Sequence, residues 1–426
     1  MDFEEYLRED EAKFSNFDEY IRVSEPHTRE RACAWKAAIG LQAVDGLHVS
    51  EYLKETALRH IEGEISIDDA RDLVRGYYQT RTARIPDDSE AQEADKVAVN
   101  ITKLLSEQSF SFSVPGFVAT HRRIFDGVFD HAGTLREFDI TKKEWVLRGD
   151  TVLYVSCEEL VRTLEYDIVQ ERKFSYAGLN MNETILHLAK FVSGLWQIHP
   201  FCEGNTRTTA IFIIKYLRSI GFEADNTLFE RHSWYFRNAL VRANYRNVKK
   251  GITPNFEFLI RFFRNLLVGE KNELRNRHLL INAPAEWGTP ITSPASTATS
   301  TPASAPSTCP ASSESAPASC ASTSPPSSPA SSKTPPASSS TVWGGLSENV
   351  RRFILATGTG SLSVKEAMAS VGLKDRKNFI EYTLSPALKS GVAVPLYPDK
   401  PHHPRQKYRL TVKGLALFNE NKTSEN

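Results

Sequence analysis

Between residues 50 and 270 the apolar positions recur mostly at helical spacing. "SEYLKETALRHIEG" is bracketed by Ser50, suited to cap a helix start, and by Gly63, suited to close its end. "SIDDARDLVRGYY" follows. Its Ser66 and Asp69 are spaced like a capping box, and Ile67, Ala70, Leu73, Val74 and Tyr77 form one stripe. In "NMNETILHLAKFVSGLWQIHPF", Asn180 and Glu183 mark a helix start, and Ile185, Leu188, Ala189, Val192, Leu195 and Trp196 share a face. "TRTTAIFIIKYLRSIGF" is apolar almost all round and predicts a central helix. "SWYFRNALVRANYRNV" and "NFEFLIRFFRNLLV" predict two more. The one clear β signal is "REFDITKKEWVLRGDTVLYVS", residues 136–156, in which an Arg-Gly-Asp turn separates two strand-like runs.

The pattern breaks at residues 289–341, a stretch of Ser, Pro, Ala and Thr whose only charges are Glu314 and Lys333. Such a segment buries too little apolar surface to offset its ordering entropy, and it predicts a disordered linker reaching roughly 40 Å. The modules on either side are therefore expected to move independently. Residues 343–426 return to helical runs, "SENVRRFILAT", "SVKEAMASVG" and "DRKNFIEYTLSPALKSG", and then to two short strand-like runs around a Pro-rich tip. Three helices and a hairpin describe a winged helix. Phe379 and Tyr382 are expected in its core.

Charge and cysteine content add limits. Lys+Arg and Asp+Glu are equal at 52 each, so net charge selects no partner. From residue 343 onward, however, 13 Lys+Arg stand against 7 Asp+Glu. The five cysteines lack CxxC spacing and fit a reducing, cytoplasmic setting. The start "MDFEEYLRED" has no apolar h-region, and no apolar run is long enough to predict a membrane span.

The chemistry concentrates in "HPFCEGNTRTTA", residues 199–210. A glycine before a helix start lets backbone approach a ligand, and the free N–H groups of residues 204–207 form an anion site there. Arg207 adds a fixed positive charge, and Asn205 a further donor. Glu203 suits Mg²⁺, which one or two carboxylates hold together with phosphates. His199 suits a proton acceptor near neutral pH, and Phe201 an apolar anchor for the loop.

"HPFCEGNTR" resembles the signature of the Fic/Doc (Fido) family, H-x-F-x-[D/E]-G-N-x-R-x-x-R. "THRRIFDGVFDHAGTLRE", residues 120–137, is similar to the segment that leads into that family's β-hairpin flap, and "HIEGEISIDDARDLVRGYY" to antitoxin-like N-terminal helices. The resemblance implies a mainly α fold: N-terminal helices over 1–95, a Fic domain with a β-hairpin flap over 96–282, the linker over 283–342 and a winged helix over 343–426. It implies a protein adenylyltransferase that moves AMP from ATP to a Ser, Thr or Tyr hydroxyl of a target protein. His199 is then the general base and Glu203 the Mg²⁺ ligand. Gly204, Asn205, Thr206 and Arg207 bind phosphates, and Ile140–Tyr154 is the flap that clamps the target. Two positions depart from the pattern: Thr206 stands where many members have glycine, and Ala210 where the last arginine belongs.

In relatives with such N-terminal helices, a glutamate blocks the site. Glu62 is the corresponding candidate here, although Leu58 replaces the usual Ser/Thr and Ala210 removes the usual arginine. For the C-terminal module the choice lies between DNA binding and dimerisation. In the first case Lys374, Arg376, Lys377, Arg405 and Lys407 meet phosphates. The alternative function is a DNA-binding regulator whose Fic domain senses nucleotide without transferring it.

Overall fold

A computed structural model describes residues 15–81, 89–224, 226–281 and 340–422. The linker falls almost wholly outside the described residues. The helices run α1 Ser15–Val23, α2 Pro26–Gly40, α3 Glu51–Glu62, α4 Ile67–Arg81, α5 Ser89–Ser106, α6 Val114–Ile124, α7 Leu160–Lys173, α8 Met181–Ile198, α9 Asn205–Ser219, α10 Asn226–Asn244 and α11 Glu257–Val268. The expected caps form. Ser50 accepts from Leu53 N–H, Gly63 closes α3 at φ 85°, and Asn180 and Glu183 make a reciprocal capping box. Helix α9 is central, with every residue from Asn205 to Leu217 buried, and the apolar face of α8 packs beside it. Helix α5 runs unbroken through residues 95 and 96, so the N-terminal layer and the motif-bearing helices share it.

The expected β-hairpin over 136–156 is corrected by the structure. The turn is present: Trp145–Leu147 forms a 3-10 turn, Arg148 adopts φ 52°, and Glu144 N–H donates to Asp150 O at 2.9 Å. The two arms, however, carry no strand. Side chains take the backbone groups instead. The buried Arg136 guanidinium donates to the carbonyls of Phe138, Val155 and His199, Asp139 accepts from Cys157 N–H, and Gln197 donates to Leu153 O. Alternating apolar spacing shows which face is buried, and it leaves open whether the bonding groups find each other or a side chain.

The C-terminal module contains α12 Ser340–Gly345, α13 Glu348–Thr357, β1 Ser361–Leu362, α14 Val364–Val371, α15 Arg376–Phe379, a π turn Ile380–Leu384, α16 Ser385–Lys389, β2 Ala393–Pro395, β3 Tyr408–Leu410 and α17 Val412–Lys422. Its antiparallel sheet has the order β1-β3-β2. The expected helices and hairpin are there, with an added strand and a last helix. Phe379 is buried as expected, whereas Tyr382 is 56% exposed. The π turn shifts the helical phase at that residue and leaves its ring outside the core.

The module does not float free. Asn419 donates to the carbonyls of Ala177 and Leu179 at 3.0 and 2.9 Å, and Lys413 pairs with Glu223 at 3.7 Å. Gly221 and Gly391 meet backbone to backbone, so that a Cβ on Gly221 would lie 2.3 Å from Gly391 O. Gly221 also sits at φ 96°. We expect Gly221→Ala to cost roughly 1–3 kcal/mol in backbone strain and clash. The change should release the module, seen as faster proteolysis near residue 391 and a larger radius of gyration by X-ray scattering. Unchanged values for both would show that this contact does not hold the module.

Candidate active site

His199 closes α8 in the left-handed region, at φ 50° and ψ 56°. This conformation costs a non-glycine residue energy, and several contacts hold it. Its N–H bonds Trp196 O, its carbonyl accepts from Arg136, and its ring lies 4.2 Å from the Tyr154 ring, centroid to centroid. The side chain is almost wholly buried. Burial, and then the positive charge of Lys142, hold its pKa well below the usual imidazole value. Nδ1 lies 3.3 Å from Trp196 O, which suits an Nδ1–H donor and leaves Nε2 as the acceptor.

Glu203 lies at the turn with its side chain 55% exposed, and its carboxylate pairs with Lys142 of the segment 140–154 at 3.1 Å. Its backbone carbonyl is 3.1 Å from His121 Nε2. Gly133 N–H donates to His121 Nδ1 at 2.8 Å, so Nε2 carries the proton and donates to Glu203 O. His121 stacks on Phe201 at 3.8 Å, and burial lowers its pKa to about 4, which keeps the ring neutral. Phe201 is fully buried, as its anchoring role requires. Gly204 has φ 73°, and a Cβ there would lie 2.1 Å from the Phe125 ring. Only glycine fits, for both reasons.

The expected phosphate-binding residues divide into two groups. No side chain caps α9 at Gly204, and Thr208 N–H is the first to reach a helix carbonyl, Gly204 O. The N–H groups of Asn205, Thr206 and Arg207 therefore have no described acceptor, and an anion would complete them. The side chains are engaged elsewhere. Asn205 accepts from Phe201 N–H and donates to Phe201 O, so its amide pins the loop and does not face a ligand. Thr206 Oγ1 accepts from Trp196 Nε1 at 2.9 Å, which fills the space of the usual glycine with a buried hydrogen bond. Arg207 is 2% exposed and pairs with Asp45 and Glu93, each at 2.8 Å. It also donates to Gln42 Oε1 at 3.0 Å and lies over the Phe125 ring.

Glu62 stands apart. It is exposed, and its described hydrogen bond comes from the Tyr20 hydroxyl. The structure brings Asp45 and Glu93, not Glu62, to the motif arginine. Both lie in the N-terminal layer, Asp45 at the end of the 3-10 turn Leu41–Asp45 and Glu93 in α5. Ala210 is fully buried in the apolar core, so an arginine there would be a charge without water or a partner.

Sequence reasoning took Ile140–Tyr154 only as a segment, without separate roles for Lys142, Glu144 and Tyr154, and it missed Arg237. Glu144 is fully buried, accepts from the Tyr154 hydroxyl at 3.2 Å and pairs with Arg237 at 2.7 Å. This joins the segment 140–154 to α10. An acidic residue inside an apolar alternation was the available signal. Among the described residues no cluster of three or more His, Cys, Asp or Glu could hold a metal by itself. Among them, too, no helix is long and apolar enough to cross a membrane.

Residues 111–217 match the model of the Fic/DOC family, and residues 348–411 match that of the filamentation induced by cAMP protein Fic-like, C-terminal domain. A curated relative, protein adenylyltransferase VbhT of Bartonella schoenbuchensis, is 27% identical over 139 residues, which are 33% of this chain and 27% of the relative. The match thus spans about a quarter of that protein. A crystal structure of a Fic family protein from Desulfovibrio desulfuricans G20 covers 95% of both chains at 17% identity and a TM-score of 0.37. The stretch around His199 thus carries a domain of the Fic/DOC family, and a second, Fic-like C-terminal domain lies behind it.

Proposed function

We propose that the chain is a protein adenylyltransferase that moves AMP from ATP to a Ser, Thr or Tyr hydroxyl of a target protein. The observation that carries this is the uncapped start of α9 beside a histidine kept neutral with one ring nitrogen free. The relative's name, protein adenylyltransferase, supports the choice of group.

In this reading His199 Nε2 accepts the proton of the target hydroxyl. The oxygen bonds to the α-phosphorus of ATP, and the bond to pyrophosphate breaks. The N–H groups of residues 205–207 take the phosphate charge as it develops. Glu203 fits Mg²⁺: its carboxylate is more than half exposed and already draws a cation, Lys142, and Mg²⁺ commonly takes one carboxylate with phosphates. When bound, Mg²⁺ would neutralise charge on the leaving pyrophosphate. The arms flanking the turn at 145–150 make no β pairing, and Leu153 is 84% exposed beside them, so an extended target segment can add there as a strand. The Arg207 side chain reaches phosphate only if its pairs with Asp45 and Glu93 part. A cytoplasmic setting fits ATP as donor.

We expect His199→Ala to remove covalent labelling of protein from α-labelled ATP while nucleotide binding persists; labelling equal to wild type would exclude the base. The pH profile carries a second check. Because burial disfavours imidazolium, the neutral base persists as pH falls through 6.5, so the acid limb of kcat should lie below that value. A limb at or above 6.5 would argue against His199.

Glu203→Gln is expected to raise the Mg²⁺ concentration for half-maximal transfer and to cut the rate strongly. An unchanged magnesium titration would remove Glu203 as the ligand.

A further inference from the structure

Two adjacent elements of the C-terminal module hold positive charge that, apart from Lys407 paired with Glu366 at 3.4 Å, has no described ion pair. Residues 374–409 contain eight Lys/Arg against three Asp/Glu, although the whole chain is neutral. Three cations elsewhere in the module are occupied. Arg351 donates to the carbonyls of Trp343 and Gly344, Arg352 pairs with Glu348, and Lys413 with Glu223. Lys374, Arg376, Lys377, Lys400, Arg405 and Arg409 are exposed, and no described ion pair involves them.

The geometry around them is built. Helix α14 ends at Gly372, which takes φ 79°, and four residues later α15 begins, capped by Asp375. The helical run 376–389 buries Phe379, Thr383, Leu384 and Ala387 against the module core, where Phe379 faces Phe353. That leaves Arg376, Lys377, Asn378, Ile380, Glu381 and Tyr382 outward. Two helices joined by a short glycine-containing turn, the second presenting basic and amide side chains, form the arrangement in which a second helix enters a DNA major groove. Beyond it, β2 and β3 carry a tip closed from within. The Tyr397 and His403 rings stack at 4.0 Å, and Gln406 bonds both the N–H and the carbonyl of Tyr397. The tip so held presents Lys400 and Arg405. The contacts that dock the module use Gly391, Lys413 and Asn419, so docking leaves the helical run and the tip uncovered.

We propose that this surface binds double-stranded DNA, with the run from Lys374 in the major groove and the β2–β3 tip on the adjacent phosphates. The proposal is independent of nucleotide transfer at His199. Duplex is favoured over single strands because the unspent groups are chiefly cations and an amide at the start of a helical run. A platform for splayed bases needs several free aromatic rings, whereas here Tyr382 stands singly and Tyr397 is already stacked on His403.

The test uses the full chain and a fluorescein-labelled 30-base-pair duplex, read by fluorescence anisotropy across a salt series. Wild type is expected to bind, with affinity falling linearly in log salt. The Lys374→Glu, Arg376→Glu, Lys377→Glu triple variant should lose at least about tenfold in affinity and flatten the salt slope by about three ions. Arg162→Glu, on the exposed face of α7, should change neither. If the triple variant loses its helical circular dichroism, Lys400→Glu with Arg405→Glu carries the same test. No binding at low salt, or unchanged binding in both variants, would overturn the proposal. So would stronger competition by single-stranded RNA or an acidic protein than by unlabelled duplex.

Discussion

The Arg207 guanidinium, taken out of water, sets the terms for the rest of the fold. A buried cation is tolerated only with matched acceptors, because its desolvation costs several kcal/mol. Those acceptors, Gln42, Asp45 and Glu93, all come from the N-terminal layer. Packing of that layer on the motif helix is therefore a condition of burying the arginine. Phe125 serves both sides: its ring lies under the guanidinium and fills the space that a Cβ on Gly204 would need. The turn, the helix start and the N-terminal helices are one interlocked unit.

A second set of buried charges fixes the segment over the site. Arg136 reaches the carbonyls of His199 and Val155, and Glu144 is held by Arg237 and Tyr154. These contacts replace a strand ladder. They hold the Tyr154 ring against His199 and leave the outer edge of both arms without β pairing. A segment pinned from below in this way keeps its backbone available above, as a surface that adds an extended peptide requires. Lys142 links it to Glu203, so movement of the segment and the charge at the turn are coupled.

The C-terminal module shows how a long linker and a fixed position coexist. The Ser/Pro/Ala/Thr-rich composition predicts independent modules, yet Gly221 and Gly391 approach closely enough to exclude any side chain. Docking is decided by surface complementarity: two glycines, the Asn419 amide and the Lys413–Glu223 pair. Linker composition therefore says little about whether two modules associate.

The sequence alone determined what local spacing encodes. The caps at Ser50, Gly63, Asn180 and Glu183, the buried face of α8 and the fully buried α9 all follow from neighbours three and four residues apart. The motif His199–Arg207 was legible because its residues adjoin a single turn. Tertiary structure alone decided where those side chains point. Arg207 meets acceptors 165 and 114 residues away, Asn205 turns back to its own loop, and Glu62 stays at the surface beside Tyr20. The strand-like runs of 136–156 failed to pair for the same reason. Alternation reports which face is apolar, whereas the acceptor of each backbone group depends on side chains such as Arg136 and Gln197, brought in by the fold. Periodicity is a property of neighbours in sequence; the pairing of buried polar groups is a property of neighbours in space.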